Sequence, residues 1–481
     1  MKHSSFINRR CKGTLAIAAS TIALGLSSSA SAQCDPGQVV RLFADDATLG
    51  DHYGVSVAIS GNTAVVGAID AQQPNGVATG SAYVYERIDG VWTFHTQLSP
   101  FDLAAGDQFG RSVAIDEHVI VVSAVADDDF GNDSGSVFVY QRFAGFWPQI
   151  AKLLAEDGQE DDLFGASVAV SGDTIIVGAP GSDQLSFNSG AAYIYNLVDF
   201  AWTPGVKLAP TDAESEDRFG TSVSIRGNIA AVGANGVGLS SSQGQGAAYM
   251  YSRPTGGAWV EQAKLVPTNV SNLAFFGSSV ALGTDVVAIG AWNDNSVSIA
   301  AGSAFLFTTN DDGITWTEQA KIIANDSAVN NYFGEVSISE DDNTVVVGAY
   351  GNTSTSGVDS GAAYVFTRTG GTWIEREKIV PEGPTETLGF SVSIDDNTLI
   401  VGAANALLFH PPILGSAYIY GINCPPNLAD LTGDGNLNFF DVSAFLYEFN
   451  LNRPIADFNM DGQWNFFDVS AFLAAFSAGS P

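Results

Sequence analysis

The chain has 481 residues, of which 46% are hydrophobic and only 15% charged, and it contains 52 glycines. That composition excludes a disordered or coiled-coil protein and fits a turn-rich β architecture with a large core. The formal net charge of −33 argues against nucleic acid as a partner.

Residues 1–32 read as a secretory signal peptide. Lys2, Arg9, Arg10 and Lys12 precede an apolar run from Leu15 to Leu26, and Ala30-Ser31-Ala32 offers a small-residue cleavage site. The run is short for a bilayer span, so we expect no membrane span in the mature chain and a secreted protein, extracellular or associated with the cell surface. The Arg9-Arg10 pair suggests twin-arginine export, but its neighbours fit that motif poorly and ordinary secretion is favoured. Loss of the four cations would move the net charge from −33 to about −37.

From there to about residue 421 one pattern recurs. Its clearest copy is Phe164 to Pro180, FGASVAVSGDTIIVGAP, and its anchor glycines are Gly54, Gly110, Gly165, Gly220, Gly277, Gly334 and Gly389, spaced 55 to 57 residues apart. A second beat follows each anchor: Gly67-Ala68, Ser123-Ala124, Gly178-Ala179, Gly233-Ala234, Gly290-Ala291, Gly348-Ala349 and Gly402-Ala403. A third, G-[SA]-[AV]-[YF]-x-[YF], starts at Gly80, Gly135, Gly190, Gly246, Gly302, Gly361 and Gly415. Six copies carry a fourth beat led by Trp92, Trp147, Trp202, Trp259, Trp316 and Trp373.

The four beats lie on four runs with strand periodicity, separated by Gly, Asn and Asp turns. Seven four-stranded units predict an all-β fold, a seven-bladed β-propeller over residues 33–423. Small residues at the second beat would let backbones approach near the axis, and the Tyr and Phe of the third would fill space between blades.

The residues resemble the FG-GAP repeat of integrin-type propellers, with Phe-Gly at 109–110, 164–165, 219–220, 276–277 and 333–334, and milder departures at Tyr53-Gly54 and Leu388-Gly389. The resemblance covers roughly residues 39–421. Members often bind calcium in an Asp-rich loop between the first two strands. Here those links are short (Gly61-Asn62, Gly172-Asp173, Gly227-Asn228, Asp395 to Asn397), so calcium-free blades are expected.

The seventh copy stops after its third strand at Tyr420, and residues 39–44, Val39 to Ala44, match the missing fourth strand, which predicts a ring closed by pairing the two ends. Cys34 and Cys424, the cysteines left once Cys11 departs with the signal, fall at the tip of that final hairpin and are expected to form a disulfide. The long links, between strands two and three and between blades, share one face, where a binding site is expected. In blade seven such a link is apolar, with Leu407, Leu408, Phe409 and His410; it either packs against its surroundings or forms a partner patch.

After Cys424 the pattern changes to two segments 27 residues apart that share the nine residues NFFDVSAFL. Each begins with oxygen-bearing residues at the spacing of a calcium loop: Asp430, Thr432, Asp434, Asn436, Asn438 and Asp441, then Asp457, Asn459, Asp461, Gln463, Asn465 and Asp468, with Gly435 and Gly462 at the sharp turn. Two calcium ions are expected. Val442, Phe445, Leu446 and Phe449, and Val469, Phe472, Leu473 and Phe476, mark a helix with an apolar face after each loop.

Loop then helix, twice, resembles a dockerin domain over residues 424–481, a small α-helical calcium-binding module. The resemblance implies calcium-dependent docking to a cohesin-like or cell-surface protein, often in polysaccharide-degrading systems. Thr432 replaces the usual Asp or Asn. The loop positions that read the cohesin are Phe439-Phe440 and Phe466-Phe467, which form either the core of this small module or its partner surface.

Signatures of catalysis are weak. There is no His-Glu-x-x-His, Gly-x-Ser-x-Gly or phosphate loop, and no nucleophile constellation. Thr309 to Trp316 resembles the Asp-box hairpin of sialidase-type propellers and reads as a turn. Asp127-Asp128-Asp129 and Glu160-Asp161-Asp162 are either paired carboxylates for glycoside chemistry or turn formers. The chain therefore reads as a secreted, non-catalytic binding and assembly protein whose propeller takes a protein or polysaccharide ligand. The rival is a docked polysaccharide lyase or glycoside hydrolase acting on the long-loop face.

Overall fold

The computed structural model describes residues 39–72, 76–100, 102–239, 244–254, 257–352, 360–369, 371–381, 387–404, 415–422, 439–450, 453, 456 and 463–478. The proposed signal peptide, Cys34 and Cys424 lie outside the described residues.

Seven antiparallel sheets form the blades of a β-propeller. Blade one is typical, with strands Tyr53–Ser60, Thr63–Ala68, Ser81–Ile88 and Val91–Leu98 in sequence order from the axis outward. Its first link is a tight turn at Gly61-Asn62. In blade seven the outermost strand is Val39–Leu42, which pairs antiparallel with Ser416–Gly421, so the two ends of the described ring share one sheet. The outer strand of blade three is split into Ala201–Trp202 and Val206–Leu208, where Pro204 removes a ladder donor.

The second strand of each blade is apolar at almost every position, as in Thr174–Ala179 and Val286–Ala291, and buried throughout except at its first residue in blades four and seven. A strand covered on both faces by neighbouring blades has no solvent side on which to alternate polar residues. Each of the seven blade interfaces holds one hydrophobic cluster; that between blades one and two joins Val84 and Leu98 to Phe109, Ile120 and Phe138. The anchor Phe packs edge-on against third-beat rings, with Phe164–Tyr193 and Phe219–Tyr249 centroids 5.5 Å apart. These rings fill the blade interfaces, as their place in the repeat predicts.

The glycines differ in one respect from expectation: the crowding lies between strand two of one blade and the entry to strand one of the next. A Cβ on Gly67 would strike the carbonyl oxygen of Gly110, and the same holds for Gly178 with Gly220, Gly233 with Gly277, Gly290 with Gly334, Gly348 with Gly389 and Gly402 with Gly54. Inner-strand serines add a second tie. Ser112, Ser167, Ser279 and Ser337 accept hydrogen bonds through Oγ from the backbone N–H of Val168, Val223, Val336 and Ile394 in the next blade.

Beyond the ring, α1 (Phe439–Asn450) and α2 (Phe466–Ala478) each begin at Phe-Phe. Phe445 of α1 stacks on Phe472 of α2, centroids 4.1 Å apart, with Val442, Phe449, Trp464, Val469 and Phe476 around them. Leu446 and Leu473 depart from the expected apolar faces and are exposed.

Candidate binding site

The innermost strands enter the axial channel from the long-loop face, and each begins with the same distortion. Two residues before the anchor glycine the backbone is left-handed in all seven blades: His52, Gln108, Leu163, Arg218, Phe275, Tyr332 and Thr387 have φ between 41° and 57°. A register shift follows, as between Phe219 and Ser222. This bulge separates the anchor Phe, which packs into the blade interface, from the residues two before and one after the glycine, which line the mouth of the channel. The residues after the second beat (Ile69, Val125, Pro180, Asn235, Trp292, Tyr350 and Ala404) complete the rim.

In blades five to seven the rim is aromatic. Phe275 stacks on Trp292 at 5.1 Å with planes 3° apart, Trp292 meets Tyr332 edge-on at 5.7 Å, Tyr332 stacks on Tyr350 at 5.0 Å, and Tyr350 meets Phe390 at 5.6 Å. All five rings are half-buried. A Cβ on Gly351 would strike the Tyr332 ring, so glycine there leaves the ring its place.

Inside the mouth, the residues after the anchor glycines are Val55, Arg111, Ala166, Thr221, Ser278, Glu335 and Phe390, with Arg111 and Glu335 as the charges. They sit on blades two and six, nearly opposite in a seven-fold ring. Burial pushes the Glu335 carboxyl up to about 7, against the smaller opposing effects of the Ser279 hydroxyl and the Arg111 charge. Burial lowers the Arg111 guanidinium, and Glu335 works the other way. Solvent reaches Arg111, although the ring surrounds it. Burial also pushes Tyr350 up to about 12, with Tyr332 and Glu335 contributing, which places the aromatic rim and the carboxylate in one electrostatic neighbourhood. Toward the other face the channel narrows to a collar of Val57, Ile115, Val170, Leu282, Ile338 and Ile394 around a cavity of about 250 Å³.

Other charged groups are absorbed by the framework. Lys152 Nζ lies 2.8 Å from both Asp127 and Asp129, and in the second acidic run Asp162 accepts the backbone N–H of Gln159, while Glu160 and Asp161 are exposed. Lys207, Lys264 and Lys378 reach Asp157, Asp212 and Asp326, which also accept from Tyr193, Tyr249 and Tyr364. Blades two and five have Phe in place of that Tyr; there Lys152 reaches Asp127 in the strand two to three link as well as Asp102, and Lys321 reaches Asp294 in that link. Thr309 to Trp316 is a hairpin turn held by Asp311, which accepts from Thr315 N–H and Oγ.

Leu407, Leu408, Phe409 and His410 lie outside the described residues, as do Asp430, Thr432, Asp434, Asn436, Asn438, Asp457, Asn459 and Asp461. Phe439, Phe440 and Asp441 open α1, but their side chains are likewise outside the description. The described end of the second loop is a compact oxygen-rich turn. Asn465 Oδ1 accepts the N–H of Phe467, Asp468 Oδ2 accepts the N–H of Asn465, and the carbonyl of Gln463 accepts from Asn465 Nδ2. These are the hydrogen bonds of an N-cap and a capping box at the start of α2, made by residues that also carry the oxygen donors a calcium loop would use. Among the described residues no three His, Cys, Asp or Glu converge on one point. Phe466 and Phe467 are 75% and 67% exposed, outside the core formed by Phe445 and Phe472.

A closed ring with a lined axial mouth defines a propeller of the binding or scaffold class. The profile of the FG-GAP repeat family matches residues 36–85, 92–140, 147–195, 202–251, 259–307 and 316–366, and the chain belongs to that family. From the second on, each matched segment starts in or just before the outer strand of one blade and ends in the third strand of the next, so the family unit is offset by one strand from the blade. No curated protein matches the chain. Among solved structures it is similar to a crystal structure of a protein from Lactobacillus plantarum, at 13% identity and a TM-score of 0.47, over 72% of this chain and 89% of that one.

Proposed function

We propose that the protein is a secreted, non-catalytic binding and assembly component. Its propeller holds a protein or glycan ligand at the long-loop face, and its C-terminal module docks it, calcium-dependently, to a cohesin-like or cell-surface partner. The observation that carries the docking half is the exposure of Phe466 and Phe467 at the first turn of α2, directly after the proposed second calcium loop. Two adjacent Phe left in solvent on a helix that buries Phe472 and partly covers Phe476 elsewhere are an apolar patch awaiting cover. Exposed Leu473 lies seven residues after Phe466, on the same helix face.

Asp430, Asp434 and Asp441 would hold one ion with Thr432, Asn436 and Asn438, and Asp457, Asp461 and Asp468 the other with Asn459, Gln463 and Asn465. The ions would neutralise clustered carboxylates and fix the helix starts. So small a core leaves much of the module's stability to such binding. Retention of the full-length protein on the producing cells or their secreted scaffold is expected to fall on chelation. It should fall likewise in the double variant Asp430→Ala/Asp457→Ala and in Phe466→Ala/Phe467→Ala. Equal retention of all four samples would refute docking by this module.

A further inference from the structure

The internal repeat provides its own control for the aromatic rim. All seven blades share the left-handed backbone before the anchor glycine and the same strand entry, yet four of them place His52, Gln108, Leu163 and Arg218 at that position and Ile69, Val125, Pro180 and Asn235 after the second beat. The fold therefore does not demand aromatic residues there. Bulky residues are also costly at φ near 55°, so Phe275 and Tyr332 occupy their positions against local preference. Five contiguous half-exposed rings confined to blades five to seven are a feature added to the scaffold.

The charges beside the rim restrict what it can hold. An anion would meet Glu335 and a net charge of −33, and a cation, although drawn by both, would meet the Arg111 guanidinium at the same mouth. A hydroxyl satisfies both, because it donates to the carboxylate and accepts from the guanidinium. Flat apolar faces beside a few fixed polar groups are the usual make-up of a small-molecule site. The pyranose ring matches this combination, with an apolar C–H face to lie on an aromatic ring and an equatorial girdle of hydroxyls.

We infer that the axial mouth is a binding site for a neutral saccharide, stacked on the rings of Trp292, Tyr332, Tyr350 and Phe390 with its hydroxyls bonded to Glu335 and Arg111. This rests on reading the propeller as a binding module and assigns that module its ligand class.

The test is calorimetric titration of the full-length protein with β-1,4-gluco-, β-1,4-xylo-, β-1,4-manno- and β-1,3-gluco-oligosaccharides, and with oligogalacturonides as the charged counterpart. At least one neutral series is expected to bind, with affinity reduced about tenfold or more in Trp292→Ala and in Tyr332→Ala. Phe200→Ala, at the fully exposed outer hairpin of blade three, should bind as the parent does. Circular dichroism of each variant separates lost binding from lost folding. Absence of binding by every neutral series at about 10 mM would overturn the inference. So would unchanged affinity in folded Trp292→Ala and Tyr332→Ala, or preference for oligogalacturonides. If the saccharides fail while chelator-sensitive retention persists, the inference falls and the docking reading stands; loss of retention with saccharide binding intact would reverse that outcome.

Discussion

Val40 near the start of the described chain lies directly across the sheet from Ile419 in the last strand of blade seven, and Leu42 across from Ala417. Leu42 is buried in the cluster between blades seven and one, beside Tyr53, Val66 and Ile419. The outer strand of the last blade is thus also the lead-in to the first, and a closed ring leaves no unpaired blade between its ends.

Removing residues 33–44 should therefore expose the Ser416–Gly421 edge and reduce both solubility and thermal stability. The single change Leu42→Ala, which leaves the strand in place, is expected to cost about 2–4 kcal/mol through the cavity it opens. Chemical denaturation of the parent and Leu42→Ala checks this, and matching midpoints would mean that the terminal strand contributes little to closure.

The period of the repeat made blade number and strand order legible, because buried second strands and glycine beats recur whatever the surface carries. The meeting of Gly290 with the Gly334 carbonyl was not legible, since the two belong to different copies and only the ring joins them. The rim was hidden for the same reason: Phe275, Trp292, Tyr332, Tyr350 and Phe390 span more than a hundred residues of chain. Aligning the copies and asking where three of them depart from the other four would have exposed it. The C-terminal helices followed from apolar spacing, but Leu446 and Leu473 did not, because a two-helix core needs only part of each apolar face.

The glycine pairs predict a sharp contrast between positions. Gly290→Ala puts a methyl group against the Gly334 backbone carbonyl, which no side-chain rotation can relieve, and is expected to cost at least about 3 kcal/mol. Gly172→Ala, in a surface turn with φ of 53° and open space around it, should cost only about 1–2 kcal/mol from the left-handed backbone. Denaturant midpoints of the two variants give the comparison, and similar losses would mean that the blades can separate slightly without penalty.

Asp294 tests the lysine–carboxylate ties. Its side chain is fully buried, with Lys321 Nζ at 2.6 Å and Ser303 Oγ at 2.8 Å. Burial alone would raise this carboxyl, but Lys321, Ser303, the Ser271 N–H and Ser296 together hold it at about 2. A depressed carboxyl contributes stability above its unfolded value near 3.8 and loses that contribution as pH falls toward 2. Lys321→Met strands the carboxylate, so a loss of roughly 3–5 kcal/mol at neutral pH is expected, with the acid-unfolding midpoint moved upward. The pair Lys321→Met/Asp294→Asn should recover part of it, and failure to recover any would point to the lysine stem over the Phe305 ring, 5.1 Å from Nζ, as the real contribution.

Glu335 reverses that sign. Burial raises its carboxyl from 4.5 to about 7, so the folded protein holds this proton more tightly than the unfolded chain does. The resulting stability is fully present below about pH 4.5 and is lost as pH rises through about 7, a change on the order of 2 kcal/mol between pH 5 and pH 8. Glu335→Gln keeps the shape and cannot ionise, so this component should vanish from its profile. The melting temperature of the parent is expected to fall further between pH 5 and pH 8 than that of Glu335→Gln, while the two should lie close together at pH 5, where both side chains are largely neutral. Salt does not screen desolvation, and Arg111 is the charge that holds the group down, so added salt should leave the gap at pH 8 in place or widen it slightly. Parallel profiles across the whole range would mean that the mouth is wet enough for Glu335 to titrate as an ordinary surface carboxylate.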